Sequence, residues 1–348
     1  MTDGFDTALK ATLKTIRLPH SSYSDAVTLM DKCIQQARKG CPLHLAIGGD
    51  PGTGKSTLAS EFAGRYQDKR DPLPGRYVNR AQSGLIIGLP SNPTHKEIQA
   101  LVLHGLKDRA PGIGFGRGPW EDRVARVAEH LFLPFLGLDE CHHMFLDNEF
   151  QLSPHAYHVR NFLKLLTDAL PCPLVLLGLT QIKLLLSGDK QLLPRIDYRH
   201  ELAPLRLGVS ITSQPTPQDG PTTESAGDSG PTVPPAPPHM STFEQFALSY
   251  QDEVVRLFAL REIPDLENPE RMIRLFYVTL GNPRHIRNFY LHLLLDLPED
   301  RRAARIVTEA DFARAAGMVY FEHTAVAGNG FLTSIEVICE SLKARGYV

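Results

Sequence analysis

The sequence predicts an α/β protein built on a parallel five-stranded sheet with flanking helices, followed by a small helical region. Three observations predict this. Short apolar runs alternate with helical patterns from Leu43 to Leu205, the rhythm of strand–helix–strand crossovers. The first run leads into Gly49-Asp50-Pro51-Gly52-Thr53-Gly54-Lys55-Ser56, a G-x-x-x-x-G-K-[ST] loop, and a helical pattern follows it. After residue 241 only helical patterns remain.

Taken in order, residues 1–40 read as an N-terminal helical extension. Ser24 or Asp25 is placed to cap a helix through Val27, Leu29, Met30, Cys33, Ile34 and Ala37. Residues 41–207 form the α/β core. Its strands are expected at Leu43–Ile47, Leu85–Leu89, Phe132–Leu138, Leu174–Leu179 and near His200–Leu202. Helices Thr57–Tyr66, Lys96–Lys107, Trp120–Leu131 and His155–Leu170 lie between them. Pro134 is an irregularity in the third strand, because proline removes a ladder hydrogen bond. Trp120 reads as core packing. Residues 208–241 are dense in Pro, Ser, Thr and Gly with little to bury, so a flexible insert is expected there. Residues 242–330 read as a helical lid with helices at Phe243–Leu260, Pro269–Leu280, Arg284–Leu297 and Glu309–Glu322, and 331–348 as a tail.

Composition narrows the class. No apolar run approaches the roughly 20 residues of a membrane helix, and the N-terminus lacks a charged and then apolar leader. Five dispersed cysteines without a C-x-x-C pair suit a reducing compartment, so a cytoplasmic location is expected. A formal net charge of −2 argues against a surface coated with basic groups for nucleic acid, but leaves a localised basic face open.

A strand, glycine-rich turn and helix start aim backbone N–H groups at one point, where an anion is favoured. Lys55 there reaches the β- and γ-phosphates of a nucleotide, and the Ser56 hydroxyl holds Mg²⁺. The apolar run 131–138 ends in Asp139-Glu140. Asp139 is placed for the Mg²⁺ shell and Glu140 to polarise a water. Thr180 and Gln181 follow the fourth strand and compete for a water-orienting role, although Thr180 fits a plain helix cap as well. Arg195, and second to it Arg199, is positioned as an arginine that crosses to a neighbour's γ-phosphate. Arg284, in Gly281-Asn282-Pro283-Arg284, is a sensor candidate. Cys141-His142-His143 with His155 and His158 raises a zinc site. Adjacent residues do not easily converge on one tetrahedral ion, and a C-x-x-C partner is lacking, so the sequence weighs against it. Basic residues cluster at Arg65, Lys69, Arg70, Arg76 and Arg80, and again at Lys107, Arg109, Arg117, Arg123 and Arg126. Lys107, Arg117 and Arg123 are the candidates for DNA-backbone contact.

Together these parts resemble an AAA+ ATPase, and within that class the TnsC/TniB group of transposition regulators, related to ExeA-like ATPases. Asp139-Glu140-Cys141-His142-His143-Met144 is similar to the TniB DE-x-H stretch. Gln191–Ile196 followed by Leu202-Ala203-Pro204-Leu205 adds to the likeness, as does Leu101–Gly118 with its glycine-rich loop. The resemblance covers residues 25–207 and 270–290. It implies ATP bound by Gly49 to Thr57 with Asp139 and Arg284, and Mg²⁺ on Ser56 and Asp139. It further implies slow, assembly-coupled hydrolysis by Glu140, Arg195, Arg199 and Thr180. The expected state is a homo-oligomeric ring or filament on duplex DNA, with a transposase and a TniQ-like targeting protein as partners and no membrane. The alternatives are an ExeA-like ATPase acting on secretion or envelope machinery without DNA, or a weakly hydrolysing nucleotide-gated scaffold.

Overall fold

The computed structural model describes residues 2–65, 84–108, 120–144, 156–187, 189–208, 242–319 and 329–347. In chain order the elements begin with α1 (Thr2–Thr15), α2 (Ser21–Ala37), β1 (Leu45–Gly49), α3 (Lys55–Arg65) and β2 (Leu85–Gly88). They continue with α4 (His95–Gly105), α5 (Trp120–His130), β3 (Leu136–Asp139), α6 (Ala156–Ala169), β4 (Leu174–Gly178), α7 (Ile182–Ser187) and β5 (Tyr198–Leu202). Six helices follow: α8 (Thr242–Phe258), α9 (Pro269–Thr279), α10 (Pro283–Leu295), α11 (Glu299–Ala304), α12 (Glu309–Met318) and α13 (Ile335–Ala344). Two compact units result, one of Ser21–Ala203, the other of Met1–His20 with Pro204–Val348.

The first unit holds the sheet. All neighbouring strands are parallel, in the order β2-β3-β4-β1-β5. Strands β1 and β4 are buried along their whole length, as a parallel sheet covered on both faces requires. Side chains alternate across the sheet. Ala46, Leu174 and Leu176 pack on one face against α4, α5 and α6, where Trp120 stacks on Phe162 with ring centroids 4.6 Å apart. Leu45, Ile47, Val175 and Leu177 pack on the other against Met30 and Cys33 of α2 and Leu58 and Phe62 of α3. Each such buried Leu, Ile or Phe contributes about 1.5–3 kcal/mol. The third strand starts at Leu136 rather than at Phe132. Pro134 therefore lies ahead of the ladder, and its missing N–H breaks no strand pairing.

The second unit is helical. Phe243 of α8, Phe276 of α9, Phe289 of α10 and Phe312 of α12 share one core with Leu9 and Leu13 of α1. Phe289 meets Phe312 edge-on at 5.2 Å and stacks on Phe331 at 5.9 Å. Ile338 and Leu342 of α13 are buried in the same cluster. The stretch 1–40 is thus divided between the units rather than one extension, and residues 331–347 are packed into the helical core rather than trailing from it. Asn282 caps α10 by accepting from Arg284 N at 3.0 Å. Before it, Gly281 has φ +69, its carbonyl accepts from Leu205 N at 2.8 Å, and a Cβ would lie 2.0 Å from Leu205 O. Only glycine fits that turn. The insert expected at 208–241 lies, from residue 209 on, outside the described residues. Among the described residues no helix is long and apolar enough to cross a membrane.

Candidate nucleotide site

Three strand ends meet at the C-terminal edge of the sheet. β4 lies between β1 and β3, so the loop after β4 stands between the glycine-rich loop after β1 and the acidic pair after β3. Open α/β sheets bind ligands outside this edge.

The glycine-rich loop bends through left-handed backbone at Gly52 (φ +91) and Gly54 (φ +103). Gly49 needs its lack of a side chain for space instead, because a Cβ would come within 2.8 Å of Leu202 O and of Thr53 Oγ1. Buried Thr53 ties the loop by donating its hydroxyl to Asp50 O at 2.9 Å. Lys55 Nζ is folded into the cradle, donating to Gly49 O at 2.6 Å and Asp50 O at 2.9 Å. Ser56 and Thr57 follow in the first turn of α3, both exposed. Pro51 is exposed at the rim. Thr180 Oγ1 donates to Asp50 Oδ1 at 3.1 Å, so Thr180 is joined to the loop; Gln181 makes no such contact with it.

Asp139 is half-buried, and its Oδ1 accepts from Glu140 N at 2.8 Å. Burial raises its carboxyl above the ordinary value, with Glu140 adding to the rise and the Glu140 N–H and Lys55 opposing it. No ion-pair partner holds Asp139 among the described residues. An oxygen-only pair, the Ser56 hydroxyl and the Asp139 carboxylate, fits a hard cation such as Mg²⁺. Glu140 is half-exposed and has φ +59, a left-handed backbone that a side chain rarely adopts. The next residues form a single 3₁₀ turn, Cys141–Met144. Burial, with His143 and Lys55 nearby, lowers His142 to about 4, so it is neutral at pH 7.

The remaining expected residues make no contact that joins them to this edge among the described residues, or lie outside those residues. Arg195 is bound on both sides of its guanidinium by Asp168, with Nε at 2.8 Å and Nη2 at 2.9 Å, and donates to Gln191 O at 2.6 Å. Arg199 is exposed on the edge strand β5, opposite Ala46, and no side-chain partner holds it among the described residues. Arg284 is exposed at the start of α10, in the other unit. Arg123, expected to face DNA, is instead paired with Asp108, its Nε donating at 2.9 Å, and is three-quarters buried. A carboxylate already neutralises it. Lys107 is exposed just past α4. Arg117 lies outside the described residues, as do His155 and the Gly112–Gly118 loop.

Two features of the site were not assigned to it from the sequence. Tyr23 of α2 donates its hydroxyl to Glu61 and stands beside the glycine-rich loop, 4.0 Å from where a Gly54 Cβ would be. In sequence it is one aromatic residue in a polar stretch. His142 and His143 crowd Glu140, a convergence that spacing alone argues against.

Comparison with known proteins places this edge in a family. The sequence profile of bacterial TniB proteins matches residues 14–203, more than half of the chain. No curated protein sequence matches it. In fold it is similar to the Aeropyrum pernix ORC2 protein solved as ADPNP–ADP complexes, with a TM-score of 0.51 and 13% identity, over 84% of this chain and 66% of that one. It is similar also to Cdc6p from Pyrobaculum aerophilum, with a TM-score of 0.51 and 13% identity, over 88% of this chain and 68% of that one. The chain thus spans about two thirds of the length of these archaeal proteins, and likeness at such identity speaks for the fold alone. With the sheet order, the glycine-rich loop and the matched profile in agreement, this chain belongs to the TniB family of AAA+ ATPases.

Proposed function

We propose that this protein hydrolyses ATP and, in its ATP-bound state, assembles on duplex DNA as a regulator of transposition that links target selection to transposase recruitment. The observation that carries the ATPase part is the cradle at Gly49–Ser56, with Lys55 Nζ resting on the carbonyls of Gly49 and Asp50, on the same sheet edge as Asp139 and Glu140. The ADPNP and ADP in the archaeal ORC2 structures support a nucleotide there. Bound in this cradle, Mg²⁺·ATP supplies the phosphoanhydride bond and a cation that draws charge from the γ-phosphate.

This chain's residues then have distinct roles. The loop N–H groups and Lys55, released from its two carbonyls, hold phosphate oxygens. Ser56 and Asp139 take the cation. Glu140 accepts a proton from the attacking water, and Thr180, tied to Asp50, orients it. Arg195 or Arg199 of a neighbouring copy stabilises the developing charge. The Asp168 pair must open for Arg195 to do so, whereas Arg199 is ready as it stands. Mixing Arg195→Ala with Lys55→Ala subunits restores turnover at hybrid interfaces if Arg195 is that residue; Arg199→Ala gives the rescue if the assignment lies four residues on.

A chain of net charge −2 does not bind DNA by diffuse attraction. Each subunit offers a small strip, with Lys107 and Arg126 exposed on the described part of it, and neutralises one or two phosphates, roughly. Summed over an oligomer, such contacts become tight and steeply salt-dependent. The test is duplex binding by fluorescence anisotropy with ATP, with ADP and without nucleotide, at two salt concentrations. Binding with ATP alone, weakened by salt, is expected. Equal binding in all three states, or none with ATP, overturns the transposition reading and favours an ATPase acting without DNA.

A further inference from the structure

The turn after β3 gathers more than the water-activating carboxylate. Because Glu140 is left-handed, the chain reverses, and His143 N donates to Glu140 O at 2.9 Å. The side chains of residues 140, 142 and 143 then share one side of the turn. His142 Nδ1 lies 3.3 Å from Glu140 Oε2. The two imidazole centroids are 4.2 Å apart. One ligand atom from each of Glu140, His142 and His143 falls within 4.8 Å of the others. Cys141 takes no part, because its buried thiol donates to Leu138 O at 3.0 Å.

Two details separate this cluster from a chance meeting of polar groups. His143 Nδ1 is 3.2 Å from Leu89 O. A carbonyl only accepts, so Nδ1 carries the hydrogen and Nε2 keeps its lone pair. Metal-ligating histidines are oriented in this way. His142 is nine-tenths buried, and its Nδ1 has no hydrogen-bond partner among the described residues, although the Glu140 carboxylate is adjacent. A buried nitrogen without a partner is costly, and a cation shared with the carboxylate satisfies both.

We propose that Glu140, His142 and His143 form a Zn²⁺ site that, when filled, withdraws Glu140 from the nucleotide. Two imidazole nitrogens and one carboxylate oxygen suit Zn²⁺ rather than Mg²⁺. Tetrahedral bonds of ordinary length put ligand atoms about 3.3 Å apart, which the Glu140–His142 pair already matches. Three protein ligands leave the fourth position to water. The ion leaves Lys55 and the phosphate loop untouched, so a zinc-loaded chain keeps its nucleotide and stops turning it over. This second part rests on the ATPase reading; the metal site does not.

The experiment uses the full chain, stripped of metal by a chelator and free of nucleotide. Titration with Co²⁺ is followed by its visible d–d bands and then by displacement with Zn²⁺. One equivalent per chain is expected. His142→Gln and His143→Gln each weaken it at least about 10-fold, while His158→Gln on α6 does not. Zn²⁺ raises the melting temperature of the wild type but not of His143→Gln, which keeps the test valid if that variant is less stable. No d–d bands, or bands undiminished in both histidine variants, overturns the site. Steady-state ATPase assays then test the consequence. Loss of turnover with one equivalent of Zn²⁺, restored by chelator and absent in His143→Gln, supports it; turnover indifferent to Zn²⁺ in a chain that binds Co²⁺ overturns it. A chain that binds Co²⁺ but never hydrolyses ATP breaks the ATPase reading and leaves the metal site standing.

Discussion

The phosphate loop and the acidic turn leave two strands of one sheet, and both reverse the chain sharply, but by different means. The loop after β1 places glycines at its left-handed positions, Gly52 and Gly54; the turn after β3 places Glu140 there. In the first, the backbone N–H groups are the working parts, and a side chain would only obstruct them. In the second, the carboxylate itself is needed, so the chain keeps a conformation that costs an ordinary residue about 1–2 kcal/mol. Strain is retained where no glycine can supply the chemistry.

The largest expected effect is on the loop side. Lys55→Ala removes the only described cation seated in the cradle and abolishes nucleotide binding, read by a fluorescent ATP analogue, with the fold intact by circular dichroism. Retained binding there would break the comparison, since the backbone alone would then hold the phosphates. On the turn side, Glu140→Gln keeps the shape and loses only proton acceptance. It binds ATP normally and hydrolyses it at least about 100-fold more slowly. Normal turnover would remove Glu140 from the role of base.

A reciprocal pair sharpens the contrast in stability. Glu140→Gly relieves the left-handed strain and stabilises the fold by up to about 1 kcal/mol in urea melts, after the entropy of glycine is subtracted. Gly54→Ala has space, with only Tyr23 Cδ2 at 4.0 Å, so its cost is the backbone alone, about 1–2 kcal/mol. Opposite signs are expected. If Glu140→Gly also destabilises, contacts of the Glu140 side chain outweigh the strain.

The smallest effect concerns what both loops stand on. His44 is buried at the foot of β1. Its Nδ1 accepts from Leu174 N at 3.0 Å and its Nε2 donates to Thr167 O at 3.1 Å. Burial holds it below the ordinary 6.5, against the pull of Asp197. The unfolded chain therefore takes up a proton near 6.5 that the folded one refuses. Stability is full above that pH and falls as pH drops below it, with His142 and His285 acting in the same direction. Urea midpoints at pH 7.5, 6.5 and 5.5 should decline in that order, and His44→Gln should flatten the decline. A midpoint that rises on acidification would contradict the neutral assignment.

Much of the molecule was legible in the order of its residues. The glycine-rich loop, the acidic strand end and the five strands are all written in contiguous residues, because backbone geometry is local physics. The strand of residues 136–139 was legible too, except for its start, where Pro134 marked a boundary rather than a flaw. Four features required the tertiary structure. β4 lies between β1 and β3, bringing Thr180 to Asp50. The first forty residues divide, α1 joining the helical core and α2 the sheet. Asp168 and Asp108 occupy Arg195 and Arg123, and one left-handed residue turns His142 and His143 toward the same carboxylate. Each of these depends on which surfaces meet after the chain folds, and groups far apart in sequence, or adjacent but differently turned, carry no periodic signal of where they will meet.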